Sequence, residues 1–146
     1  FDEVARLIES RGFHCQRRSG QGTGGLTSSA HDRVVLVDVI GELGHWWGTA
    51  DIGFVGGSLN DRGGQNMIEP AAYGVATCFG PNTRNFRDIV ALLLAADAAV
   101  VVPDGAGLTA FVRRCLTEPE WARILGQRAA AFAKTQQGAT ERTLHQ

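Results

Sequence analysis

Apolar residues along this chain alternate between short unbroken runs and helically spaced stretches, with glycine at many of the joints. Val4, Leu7 and Ile8 recur at helical spacing between Phe1 and Arg11, and Gly12 stands where that helix would be capped. Phe13 to Arg18 predicts a strand, and Ser19 to Asp32, polar and glycine-rich, predicts a loop with some disorder. Arg33 to Ile40 reads as a buried strand, Glu42 to Ala50 as a short helix carrying Trp46 and Trp47, and Asp51 to Val55 as another buried strand. Met67 to Gly74 predicts a short helix closed by its glycine, followed by a strand over Val75 to Phe79 that Gly80-Pro81 ends. Asn85 is expected to cap a helix from Phe86 to Ala96, with Asp88 three residues on as a partial capping box. A last strand over Ala98 to Val102 stops at Pro103-Asp104-Gly105. Helices are then expected over Leu108 to Glu118 and Pro119 to Gln136, with a brief one near the end.

Five apolar strands alternating with helices point to an α/β fold, a parallel sheet covered on both faces. The order opens on a helix where the pattern calls for a strand, so a first β-strand is expected to be missing from a Rossmann-like domain. No GxGxxG follows the first strand, which leaves a dinucleotide reading little support. A flavodoxin-like or receiver domain would need an acidic cluster or flavin loops at the first strands, and neither is visible.

Composition narrows this further. The 146 residues make one domain, 1–146, large enough for a real core. A formal net charge of −1 gives no basic footprint for nucleic acid. Cys15, Cys78 and Cys115 are widely spaced and odd in number, without metal-ligand spacing, so neither zinc nor a disulfide framework is expected. They fit a reducing, cytosolic setting, with Cys78 and Cys115 as small core residues. The longest apolar stretch, Ile89 to Val102, is interrupted by Asp97 and too short to span a bilayer.

Nineteen glycines are the outstanding feature. Several cluster in Gly56-Gly57-Ser58-Leu59-Asn60-Asp61-Arg62-Gly63-Gly64-Gln65-Asn66, between a strand and a helix start. Such a loop brings bare backbone N–H groups to the carboxyl edge of a sheet, where phosphate-bearing ligands bind in open α/β folds. A nucleotide or nucleotide-sugar pocket is therefore expected there.

Four ordered blocks carry a resemblance: Asp38-Val39-Ile40-Gly41-Glu42-Leu43; Gly56-Gly57-Ser58-Leu59; Gly63-Gly64-Gln65-Asn66 with Glu69-Pro70-Ala71; and Phe79-Gly80-Pro81-Asn82-Thr83-Arg84-Asn85-Phe86. From about Val34 onward the chain resembles the C-terminal half of 3-deoxy-D-manno-octulosonic acid (Kdo) transferases, the bacterial enzymes of lipid A core assembly. The resemblance implies the donor-binding domain of a two-domain GT-B glycosyltransferase. CMP-Kdo would be the donor and a lipid A precursor the acceptor, in lipopolysaccharide core biosynthesis at the cytoplasmic face of the inner membrane. The acceptor groove, membrane contact and general base would lie in an N-terminal domain absent here, so this piece alone is expected to be inactive and soluble. It further implies an inverting, single-displacement transfer. No Asp-x-Asp motif occurs, and neither metal nor cofactor is expected.

The same resemblance assigns the pocket. Glu69 would accept hydrogen bonds from the ribose hydroxyls; the alternative is a capping box with Asn66. Gly56, Gly57 and Ser58 would bring amides and a hydroxyl to the phosphate or the Kdo carboxylate; otherwise they form a tight turn. Gly63, Gly64, Gln65 and Asn66 would form a second turn aiming a helix dipole at the same place. Gly41 and Glu42, with Leu43, would contact the cytosine, or else Glu42 is a first-turn acid. Arg62 and Arg84 are candidates to balance anionic charge, or solvated surface cations. His14, His31, His45 and His145 form no cluster and are expected at the surface or in packing. Trp46 and Trp47 are expected in or near the core, an exposed one being free to meet the other domain. Family members usually carry histidine where Gln65 and Asn82 stand, which leaves open altered binding or a non-catalytic nucleotide-binding module. A GT-B domain for a UDP-sugar, transferase or epimerase, is the nearest alternative.

Overall fold

The computed structural model describes residues 1–20 and 33–144, so most of the loop expected after Ser19, and His31 and His145, lie outside the described residues. The chain divides into two compact units, Phe1–Leu43 and Gly44–Gln146.

In the first unit α1 (Asp2–Ser10) precedes β1 (His14–Arg17), which pairs in parallel with β2 (Arg33–Leu36). The predicted glycine cap is present. Gly12 has φ of +82°, its amide donates to Glu9 O, and the Phe13 amide reaches back to Ile8 O, the bond pattern of a Schellman cap. Asp2 and Arg17 tie helix to strand through an ion pair of 2.5 Å. The expected buried strand over Arg33 to Ile40 is shorter and only half-buried, and Ile40 is 99% exposed. Within the described residues β2 has β1 as its one strand neighbour, and apolar character alone does not supply a second covering layer.

The second unit begins within α2 (Leu43–Trp47) and continues through β3 (Ile52–Val55), α3 (Ile68–Ala72), β4 (Ala76–Phe79), a 3-10 turn at Arg84–Phe86 and α4 (Arg87–Ala95). Then come β5 (Val100–Val101), α5 (Gly105–Thr117) and α6 (Pro119–Leu144). The three strands form a parallel sheet in the order β3-β4-β5. All five described strands are thus parallel, as expected, but they form two sheets rather than one. The two expected C-terminal helical pieces beyond Pro119 are one continuous helix.

Side-chain alternation explains how the central sheet is buried on both faces. Val55 and Phe79 join a core with Met67, Ala71, Leu93, Ala129 and Ala133. Ala76 and Cys78 belong to the other core, with Val102, Phe111, Cys115 and Leu125. Helix α6 contributes to both, because Leu125 is grouped with one cluster and Ala129 and Ala133 with the other. Its approach is close at Gly126, where a Cβ would fall 2.0 Å from Gly74 O. Gly74 in turn ends α3 with φ of +72° and a second Schellman pattern, Gly74 N to Ala71 O and Val75 N to Pro70 O. Among the described residues no helix is long and apolar enough to cross a membrane.

Candidate functional site at the carboxyl edge of the sheet

Val55 pairs with Phe79 and Phe79 with Val101, so the segments after all three strands of the second unit leave from the same edge. The loop after β3 folds back on itself. Gly57 (φ +72°), Gly63 (+86°) and Gly64 (+81°) take the left-handed conformation, and the Gly64 amide donates to Gly57 O at 2.9 Å. Gly63 is also needed for space, since a Cβ there would lie 2.7 Å from Arg84 Cγ and 2.8 Å from Asn85 Nδ2.

The loop after β4 is latched to the first. Ser58 is fully buried; its hydroxyl donates to Val55 O at 2.6 Å and accepts from the Gly80 amide at 2.8 Å. The Ser58 carbonyl accepts from the Asn82 amide at 2.9 Å. Ser58 therefore contributes a structural clasp, and the ligand-facing hydroxyl expected of it is sequestered. Gly80 must lack a side chain, because a Cβ would sit 2.3 Å from Ser58 O.

Asn85 differs from its expected role. Helix α4 starts at Arg87 after the 3-10 turn, and its N-cap makes no side-chain hydrogen bond. The Asn85 amide group instead donates back to Arg62 O at 3.0 Å and Gly64 O at 3.4 Å, while its backbone N–H reaches Gly63 O at 3.1 Å. It braces the second glycine turn from a segment some twenty residues downstream. Nothing local in the sequence marks this, because asparagine before a helix looks the same in either role.

At the start of α3, Asn66 Oδ1 accepts from the Ile68 amide at 3.0 Å and its Nδ2 donates to Glu69 Oε1 at 3.1 Å. Glu69 is half-buried and, among the described residues, its other carboxylate oxygen has no hydrogen-bond partner. The Asn66–Glu69 link and a ligand contact are thus compatible. Gln65 and Asn66 are exposed, and among the described residues no group accepts from the amides of Gly57, Gln65 or Asn66. At five residues α3 is too short to supply much of the expected dipole.

Beside the turn lies a cleft of about 450 Å³ lined by Asp61, Gly63, Pro81, Asn82, Thr83, Arg84 and Arg87. Arg84 was expected as a charge-balancing candidate; Arg87 and Thr83 were not singled out. Arg62 is exposed at the loop tip. Gly41 and Glu42 belong to the first unit. Gly41 is exposed with φ of +90°, and the Glu42 carboxylate is held by Arg18 through contacts of 2.9 and 3.2 Å.

The remaining candidates are packing or surface residues. Trp47 lies against Gly53, where a Cβ would meet its ring at 2.9 Å. Trp46 is half-buried, and His14 and His45 are exposed. Burial pushes the Cys78 thiol up to about 12 and raises that of Cys115, so both are inert core thiols at neutral pH.

A parallel α/β sheet with two glycine turns and a carboxylate beyond its strand ends is an arrangement suited to a phosphate-bearing ligand. No protein-family model matches the chain. The 3-deoxy-D-manno-octulosonic acid transferase of Bordetella pertussis is 37% identical over 145 residues, 99% of this chain and 33% of the relative. That of Haemophilus influenzae is 34% identical over the same shares. Among solved structures, the C-terminal CMP-Kdo binding domain of WaaA from Acinetobacter baumannii matches with a TM-score of 0.79 and 32% identity, over 90% of this chain and 66% of that one. The chain is a homologue of the 3-deoxy-D-manno-octulosonic acid transferases, and it spans about a third of the length of these curated relatives.

Proposed function

We propose that this chain is the donor-binding domain of a Kdo transferase, holding CMP-Kdo for transfer of Kdo to a lipid A precursor. The observation that carries the reading is the overlay, at 32% identity, on a domain solved as a CMP-Kdo binder, with the glycine turns and Glu69 gathered at one sheet edge. Glu69 offers its unbonded carboxylate oxygen to the ribose diol. Gly56, Gly57, Gly63, Gln65 and Asn66 offer amides and side-chain donors to the phosphate end, while the Gly64 amide closes the turn on Gly57 O. Ser58 holds the two loops in register rather than touching the ligand.

Pre-set amides stabilise the negative charge that develops on the departing CMP phosphate, because they need no reorganisation as that charge grows. The attacking acceptor hydroxyl, its general base and the membrane contact belong to another part of the whole protein, which works at the cytoplasmic face of the bacterial inner membrane. This chain alone then binds donor without turnover.

Titration with CMP, with UMP and UDP as controls, tests the reading. CMP binding that Glu69→Ala weakens at least tenfold supports it. A preference for UDP assigns the domain to another nucleotide-sugar enzyme, and transfer of Kdo to lipid by the isolated chain would overturn the division of labour.

A further inference from the structure

The cleft beside the second glycine turn contains two cations that the fold itself does not use. Arg84 and Arg87 both line it and both are exposed. Among the described residues no carboxylate lies within ion-pair distance of either guanidinium, whereas Arg17, Arg18, Arg114 and Arg123 all have one. The Arg84 stem is held against Gly63, so its position is tied to the turn. Arg87 is the first residue of the nine-residue α4, which follows the 3-10 turn that carries Arg84. The other polar liners, Asp61, Asn82 and Thr83, offer acceptors and donors suited to hydroxyl groups.

We infer that this cleft is an oxyanion subsite for the sugar-phosphate end of the ligand, with Arg84 and Arg87 as its anion-binding pair. Two guanidinium groups against the single Asp61 carboxylate leave the cleft net cationic, and a planar fork suits a carboxylate or phosphate edge. A volume of about 450 Å³ is ample for an acidic, polyhydroxylated sugar. Asp61 has the complementary task of accepting from sugar hydroxyls, and it discourages a second anion. The ligand named here rests on the donor-domain reading above; the cationic cleft does not. The bound oxyanion has two possible sources, the nucleotide phosphate and a sugar carboxylate, and the test separates them.

The experiment compares the unaltered chain with R84Q/R87Q and with R113Q/R128Q, a control that removes the same charge from exposed positions elsewhere in the unit. Cytidine, CMP and CMP-Kdo are titrated by calorimetry, with amide spectra confirming that each variant is folded. The expected result is unchanged cytidine binding and at least a tenfold loss of CMP-Kdo affinity in R84Q/R87Q alone. An equal loss with CMP identifies the phosphate as the oxyanion, and a loss confined to CMP-Kdo identifies the carboxylate. Affinities within twofold of the unaltered chain for both anionic ligands overturn the inference. If the unaltered chain binds no nucleoside or nucleotide, the donor reading fails separately. Arginine Nε shifts on adding Kdo or inorganic phosphate then decide the cleft: movement at Arg84 and Arg87 supports it, and its absence overturns it.

Discussion

The Ser58 hydroxyl and the Gly80 amide meet at 2.8 Å in a position fully closed to solvent, joining the ends of two parallel strands. Ser58→Ala leaves the buried Gly80 N–H and Val55 O each without this partner. A loss of about 1–3 kcal/mol is expected, the cost of stranding buried polar groups. Urea unfolding checks this, and CMP affinity should fall with it because the glycine loop loses its clasp. A Ser58→Ala protein as stable as the parent would mean that the clasp contributes nothing.

Asn85 separates two explanations by one substitution. As an N-cap it would tolerate aspartate, which caps helices about equally well. As a brace it would not, since aspartate cannot donate to Arg62 O and Gly64 O. Asn85→Asp should therefore destabilise the fold by about 1–2 kcal/mol and weaken CMP binding several-fold. Unchanged stability in Asn85→Asp would return the residue to a capping role.

Helix α4 ends with Asp97 in a left-handed conformation, φ of +49°, its amide on Leu94 O and the next on Leu93 O. This is a glycine's place in a Schellman cap, filled by a residue that has a Cβ. Asp97→Gly should stabilise the protein by roughly 0.5–1 kcal/mol by relieving that conformation. The urea midpoint should rise; a fall would show that the aspartate side chain contributes more than its backbone strain costs.

Alkali should expose the buried thiol. Cys78 titrates near 12 in the folded chain against an ordinary 9.0. The folded value is raised, so its contribution to stability is intact below pH 9 and is lost as pH climbs from 9 towards 12, where only the unfolded chain gives up the proton. Unfolding midpoints measured from pH 8 to 10.5 should decline, and Cys78→Ala should flatten part of that decline. A profile identical in the variant would remove the thiol from the account.

The glycine loop was legible in the sequence because positive-φ positions and a strand-to-helix transition leave glycines in a recognisable order. Gly57, Gly63 and Gly64 all take that conformation. The roles of Ser58 and Asn85 were not legible. Each depends on a partner about twenty residues away, and a polar residue in a glycine loop reads as ligand-facing whether or not another strand covers it. The half-buried β2 has the same origin: apolar alternation reports which residues prefer burial, not how many layers are present to provide it. The cleft arginines were half legible, since Arg84 sits in a recognisable block whereas Arg87 looks like any exposed helix residue.

The contact of Gly126 with Gly74 O has a consequence for the order of events during synthesis. The helix that presents Glu69 receives its neighbour from a segment more than fifty residues further along. The brace at Asn85 likewise arrives after the turn it supports. A nascent chain halted between Phe86 and Pro119 carries the glycine loops, the Ser58 clasp and the Asn85 brace yet lacks the helix that packs against the end of α3. Ligand competence should therefore emerge late and abruptly from the ribosome, with long-range closure rather than local sequence setting the moment.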